Sequence, residues 1–291
     1  VKVIAPAASL GSSKQFPILL LSHGHGPSNF LSSLHGYGPV TTFFASHGFV
    51  VIQPTHLSSR TLKFPDDAPG APLFWKSRPE DFKYILDHLN DIEAQFPLVS
   101  GRLDKSRVVV IGHSMGGHTA SMLLGMTVAD PETGFKDITN LKDERVKVGV
   151  LVGAPGVGGD TLSEMARKNY AFMSQPDFSD LTTPTLVIAG EEDIDPTGHL
   201  QIRGDNTWHT DPYTSSPGAD TLVMVKGGKH GFGGISGFDA KEGDDSSPER
   251  MAGVLRMAWA YLWSRLYGGR EWEKAKAEYS KIGSLGWVEE K

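Results

Sequence analysis

The sequence predicts an α/β protein: a doubly wound, mostly parallel sheet with helices on both faces. Three observations carry this. Seven short β-branched or aliphatic runs recur along the chain, and helix-like segments lie between them. The central runs, such as Ile18–Leu21, Val108–Ile111 and Leu186–Ile188, are apolar without alternation. An unbroken apolar strand is one covered on both faces, as in a parallel sheet between helices. Strands alternating with helices specify the layered architecture.

The strands are expected at Val1–Ala5, Pro17–Ser22, Gly48–Pro54, Arg107–Gly112, Lys147–Gly153, Pro184–Gly190 and Asp220–Lys226. Pro79–Ala94 places Phe82, Ile85, Leu86, Leu89 and Ile92 on one helical stripe, with Pro79 suited to a first turn. Met115–Val128 is rich in small and aliphatic residues, and Pro248–Leu266 carries Met251, Val254, Leu255, Ala258 and Leu262. Glu271–Lys281 reads as a charged, amphipathic extra helix. With no internal repeat and no long linker, a single domain is expected over residues 1–291, with a short insert at 155–183.

Four irregular stretches break the rhythm. Leu57–Ser77, Pro155–Thr183 and Thr197–Ala219 follow strands and are expected to wall a pocket, because ligands in such sheets bind beyond the carboxyl ends of the strands. Pro131–Arg145 precedes a strand and is expected to be a surface excursion at the opposite edge.

Composition excludes several classes. The 28 basic and 34 acidic residues give a net charge of −6, which argues against nucleic-acid binding. No apolar run approaches the roughly 18–20 residues that cross a bilayer, so a soluble protein is expected. The absence of cysteine excludes disulfides, thiolate–metal sites and a thiol nucleophile. The chain begins at Val1, almost inside a strand, so further residues are expected upstream, and the compartment is left open.

Gly112-His-Ser114-Met-Gly116 fits G-x-S-x-G in the context that gives this motif meaning. A buried strand ends at Gly112, and Gly116-Gly117 opens a helix. A serine on so sharp a turn projects its hydroxyl beyond the sheet edge, although a serine there could also cap the helix. Serine needs a base to take its proton. His230 is the leading candidate, on a glycine-rich loop after the last strand, with His209 as its rival. The base needs a carboxylate to fix its tautomer. Asp193 is chosen, three residues past the strand-ending Gly190, with Asp195 next in line. Backbone N–H groups of His25, in the turn after Leu19–Ser22, and of Met115, after the nucleophile, are expected to form an oxyanion hole. Phe30, Phe74, Trp75, Met115, Trp208 and Phe232 are candidates for an apolar substrate pocket. A metal site from His23 and His25 lacks an acidic partner at ligand spacing, so no metal is expected.

Leu21-Ser-His-Gly24, Arg78-Pro-Glu-Asp81, Gly112-His-Ser-Met-Gly-Gly117 and Ala189-Gly-Glu-Glu-Asp193 resemble segments of α/β-hydrolase-fold serine esterases. Within that superfamily the chain is similar to the chlorophyllase, platelet-activating-factor acetylhydrolase and polyester-hydrolase group. The resemblance implies hydrolysis of a small-molecule carboxylic ester through an acyl-enzyme, without a cofactor. Chlorophyllases and the acetylhydrolases take the triad acid from the strand after the nucleophile helix, where this chain has Ala154. The acid is therefore expected from the following strand, at Asp193, as polyester hydrolases arrange it. The short 155–183 stretch favours short-to-medium esters or lactones over triglycerides. An amidase or peptidase using the same triad, and a non-catalytic ligand-binding protein of this fold, are the alternatives.

Overall fold

The computed structural model describes residues 1–7, 13–26, 32–65, 67–195, 198–237 and 245–291. All seven expected strands form: β1 (Lys2–Ile4), β2 (Phe16–Ser22), β3 (Val50–Gln53), β4 (Leu103–His113), β7 (Val146–Val152), β9 (Thr185–Gly190) and β10 (Thr221–Val225). An eighth, β11 (Gly286–Glu290), completes one sheet in the order β1-β3-β2-β4-β7-β9-β10-β11. The six central strands are parallel, while β1 and β11 lie antiparallel at the two edges.

The continuous apolar strands are buried on both sides. Within β4, Val108 and Val110 enter one core, whereas Val109 and Ile111 enter the other. The first core is closed by α2 (Ser77–Asp87), α3 (Leu89–Gln95) and α4 (Met115–Leu124). The second is closed by α1 (Gly38–Ser46), α7 (Pro248–Tyr267) and α8 (Glu271–Ile282). Each fully buried aliphatic side chain contributes about 1.5–3 kcal/mol relative to exposure.

Two helices are shorter than expected. The 79–94 stretch breaks at His88, whose φ of −112° and ψ of 26° separate α2 from α3. Helix α4 ends at Gly125, where a side chain would strike the Asp180 carbonyl, and Thr127–Ala129 forms the strand β5. Strand β5 pairs with β6 (Ile138–Thr139) and β8 (Pro176–Asp177) in a separate small sheet. Two further helices, α5 (Glu164–Asn169) and α6 (Thr207–Ser215), lie in the irregular stretches. Among the described residues no helix is long and apolar enough to cross a membrane.

Candidate active site

The carboxyl ends of five parallel strands deliver the site. Ser114 follows β4 with φ 56° and ψ −122°, a conformation that costs a non-glycine residue strain energy. The neighbouring glycines make that turn sterically feasible. A Cβ on Gly112 would lie 1.9 Å from the Gly116 carbonyl oxygen, and one on Gly116 would lie 2.0 Å from that of Ser22. Ser114 therefore sits at the N-terminus of α4 on an elbow that no larger residues could form. Its first helical N–H groups, those of Met115 and Gly116, have no acceptor within the helix.

Asp193 stands three residues beyond β9 and is buried. Nδ1 of His230, on the loop after β10, lies 3.0 Å and 3.1 Å from its two carboxylate oxygens. Burial alone would raise the Asp193 carboxyl, but the His230 and His209 imidazoles and the His230 hydrogen bond outweigh it and hold the group at about 2. Two other acids of this loop are engaged elsewhere. Asp195 accepts from the Leu200 N–H at 2.6 Å, and exposed Glu191 from the Gly227 N–H at 2.9 Å. Asp193 is the acid that meets an imidazole.

His209 approaches the same carboxylate, its Nε2 3.4 Å from Oδ1, while Nδ1 lies 3.0 Å from the Ala154 carbonyl. Burial lowers its affinity for a proton. Asp193 thus carries two imidazoles, and His209 is a neighbour of the His230 pair as well as its rival. Asp193, His209 and His230 are also the one group of described residues whose ligand atoms could converge on a metal ion, lying within 4.8 Å of one another.

Ser114, Met115, His25, Asp193, His209 and His230 line one cavity of about 300 Å³. All three stretches expected to wall a pocket contribute to it: Leu73 from the first, Pro155, Tyr170 and Met173 from the second, Leu200 and Trp208 from the third. Residues 131–145 contribute none. Of the aromatic residues expected near a substrate, Trp208 lines this cavity, but Trp75 and Phe232 do not. Trp75 is buried and stacks on Phe172 at 5.5 Å, and fully buried Phe232 packs edge-on against His113 at 5.9 Å. Their large apolar surfaces go to packing, and neither lines the cavity. Phe74 lines a separate neighbouring cleft with His25. Phe30 falls outside the described residues.

Beneath the turn that carries His25 lies a buried polar cluster. Arg78, fully buried, donates to Thr119 Oγ1 at 2.8 Å, to Ser58 Oγ at 2.6 Å and to the backbone carbonyl of His23. His56 bridges Asp81 at 2.6 Å and Ser22 Oγ at 3.0 Å. His23 bonds its own loop through Gly24 O at 2.7 Å and the His56 N–H at 3.1 Å. Burial, then the Arg78 and Arg60 charges, lower His25 to about 4. In the sequence Arg78 and Asp81 stand out only within the resembling segment Arg78-Pro-Glu-Asp81. The signal for their role was arginine and aspartate at i and i+3 on an otherwise apolar helix face.

A comparison with curated proteins finds no match. The model of the family described as "Alpha/beta hydrolase family" matches residues 18–252, from within β2 through β10 and including all the site residues above. With the mostly parallel eight-stranded sheet between helices, this establishes the α/β-hydrolase fold and shows that the chain belongs to the alpha/beta hydrolase family.

Proposed function

We propose that this hydrolase is a serine esterase that cleaves small carboxylic esters through an acyl-enzyme. The observation that carries this reading is the Asp193–His230 hydrogen bond in the cavity that also exposes Ser114 on its strained elbow. Ser114 Oγ attacks the ester carbonyl while His230 Nε2 takes its proton, and Asp193 stabilises the imidazolium. The tetrahedral oxyanion is met by the backbone N–H groups of Met115 and His25. His230 then protonates the leaving alcohol, and water repeats the sequence on the acyl-serine.

A volume of about 300 Å³ stands at the small end of ligand pockets, and Leu73, Met115, Met173, Leu200 and Trp208 make its walls largely apolar. This favours short-to-medium acyl chains and small lactones. The test is hydrolysis of p-nitrophenyl acetate, butyrate and octanoate by the wild type and Ser114→Ala. The reading expects turnover that the substitution abolishes, and turnover retained by Ser114→Ala contradicts it.

A further inference from the structure

A buried chain of hydrogen bonds joins three loops of the site, and chemistry dictates the donor at each step. The Gly24 N–H can only donate, and it lies 2.9 Å from the Tyr37 hydroxyl oxygen. That oxygen is 2.7 Å from Nδ1 of His113, the residue before the proposed nucleophile. Nε2 of His113 is 2.8 Å from the backbone carbonyl of His230, which can only accept. His113 therefore holds a proton on Nε2. Burial and the nearby His230 imidazole hold its affinity for a second proton at about 3, against the opposing effects of the His230 carbonyl and the Asp193 charge, with His209 adding to the lowering. The ring is neutral, its Nδ1 accepts, and the Tyr37 hydroxyl gives Nδ1 its only proton.

Tyr37 is fixed by more than its hydroxyl. It is wholly buried with φ 63°, a left-handed conformation uncommon for a bulky residue. Its backbone N–H donates at 2.8 Å to the carbonyl of Ser236, in the loop that follows His230. Its ring meets that of His113 edge-on at 5.8 Å. A Cβ on Gly24 would stand 2.9 Å from the Tyr37 oxygen and 3.4 Å from Ser114 Cβ, so the absence of a side chain there lets the chain close. Neither Tyr37 nor His113 lines the cavity of the site.

We propose that Tyr37 and His113 are positioning residues: the chain Gly24–Tyr37–His113–His230 ties the turn after β2, the serine elbow and the loop of the base into one unit. The device rests on the reading of Ser114 and His230 given above. It acts through the backbone of His230 and sets where that imidazole stands relative to Ser114. Tyr37→Phe removes the acceptor of Gly24 and the donor to His113 together. His113→Leu removes the acceptor for the Tyr37 hydroxyl and the donor to the His230 carbonyl together.

The test compares Tyr37→Phe, His113→Leu and the double variant with p-nitrophenyl butyrate, after thermal melts have shown them folded. Nitrogen-15 NMR of the wild type reads the tautomer of His113. Loosening the base is expected to lower kcat about ten- to a hundredfold, with KM nearly unchanged. The double variant should lose no more than the worse single one, because a chain broken twice is the same broken chain. The wild-type spectrum should show the Nε2–H tautomer at neutral pH. Additive losses, a loss confined to KM, or a His113 ring protonated on Nδ1 overturn the proposal. The spectrum decides even where a variant does not fold. Ester turnover surviving in Ser114→Ala would instead defeat the esterase reading, and the tautomer would still report on the chain.

Discussion

The carboxylate of Asp193 and Nδ1 of His230 lie 3.0 Å and 3.1 Å apart through its two oxygens, bridging loops from two adjacent parallel strands. The aspartate is buried, whereas the histidine side chain is 42% exposed. One end of the pair is locked inside the protein and the other reaches the cavity. In the proposed reaction this carboxylate fixes the tautomer of the base and turns its far nitrogen toward the nucleophile.

Asp193→Asn should keep the fold but lower kcat by about 10⁴, as the amide favours the wrong tautomer of His230. Asp195→Asn is expected to lose far less, because that carboxylate serves the Leu200 and Gln201 N–H groups. Steady-state kinetics of both variants check this, and equal losses would contradict the assignment of the acid.

Ester chain length should matter, and Trp208 should set the limit. It is buried in the cavity wall with its Nε1 unpartnered among the described residues. Trp208→Ala is expected to improve kcat/KM for the octanoate ester relative to the acetate by about tenfold or more. The same truncation should cost about 3 kcal/mol of stability. A chain-length profile unchanged by the substitution would place the acyl group elsewhere.

Stability should fall early in acid. Burial lowers the proton affinity of His23 and His56, of His113 and His118 to about 3, and of His25 to about 4. The unfolded imidazoles take up protons near 6.5, so between that pH and about 4 the unfolded state binds more protons. Each such histidine therefore costs up to about 1.4 kcal/mol per pH unit below 6.5. Asp193 acts lower down: held at about 2, its contribution is intact above about pH 4 and is lost only as pH falls toward 2. Urea melts at pH 7.5 and pH 5.5 test this, with a marked drop in midpoint expected. Equal midpoints would contradict the neutral burial of these rings.

Arg78 should be worth more to stability than any surface charge. Arg78→Ala strands Thr119, Ser58 and the His23 carbonyl and is expected to cost about 3 kcal/mol or more. Arg78→Lys keeps the charge but not the fork, so it should recover only part. Chemical denaturation of the two variants measures the difference.

The parallel core was legible because its strands need apolar residues on both faces, and Val108–Ile111 shows this without a partner in view. The edges were not. Strand β11 offers only Trp287 and Val288 between a glycine and two glutamates, too short a run to carry a period. Helix α1 is rich in threonine and phenylalanine, and α6 contains Pro212, so local propensity points away from both. The motif residues Ser114, Asp193 and His230 were legible as types at the ends of strands. Trp75 and Phe232 were misplaced, because an aromatic residue beside a site reads the same from sequence whether it lines a cavity or packs behind it. His113, next to Ser114 in the chain, carries no signal of a role in sequence. It bonds the backbone of His230, a role that only the folded loops reveal.

The central claim is that Ser114 is an activated nucleophile, and covalent labelling tests it most directly. The wild type is treated with a fluorophosphonate, and the modified peptide is mapped by mass spectrometry, with His230→Ala and Ser114→Ala alongside. The account predicts a single adduct on Ser114, formed much more slowly in His230→Ala and absent in Ser114→Ala. A wild type that remains unlabelled, or one whose adduct lies on another residue, would contradict it.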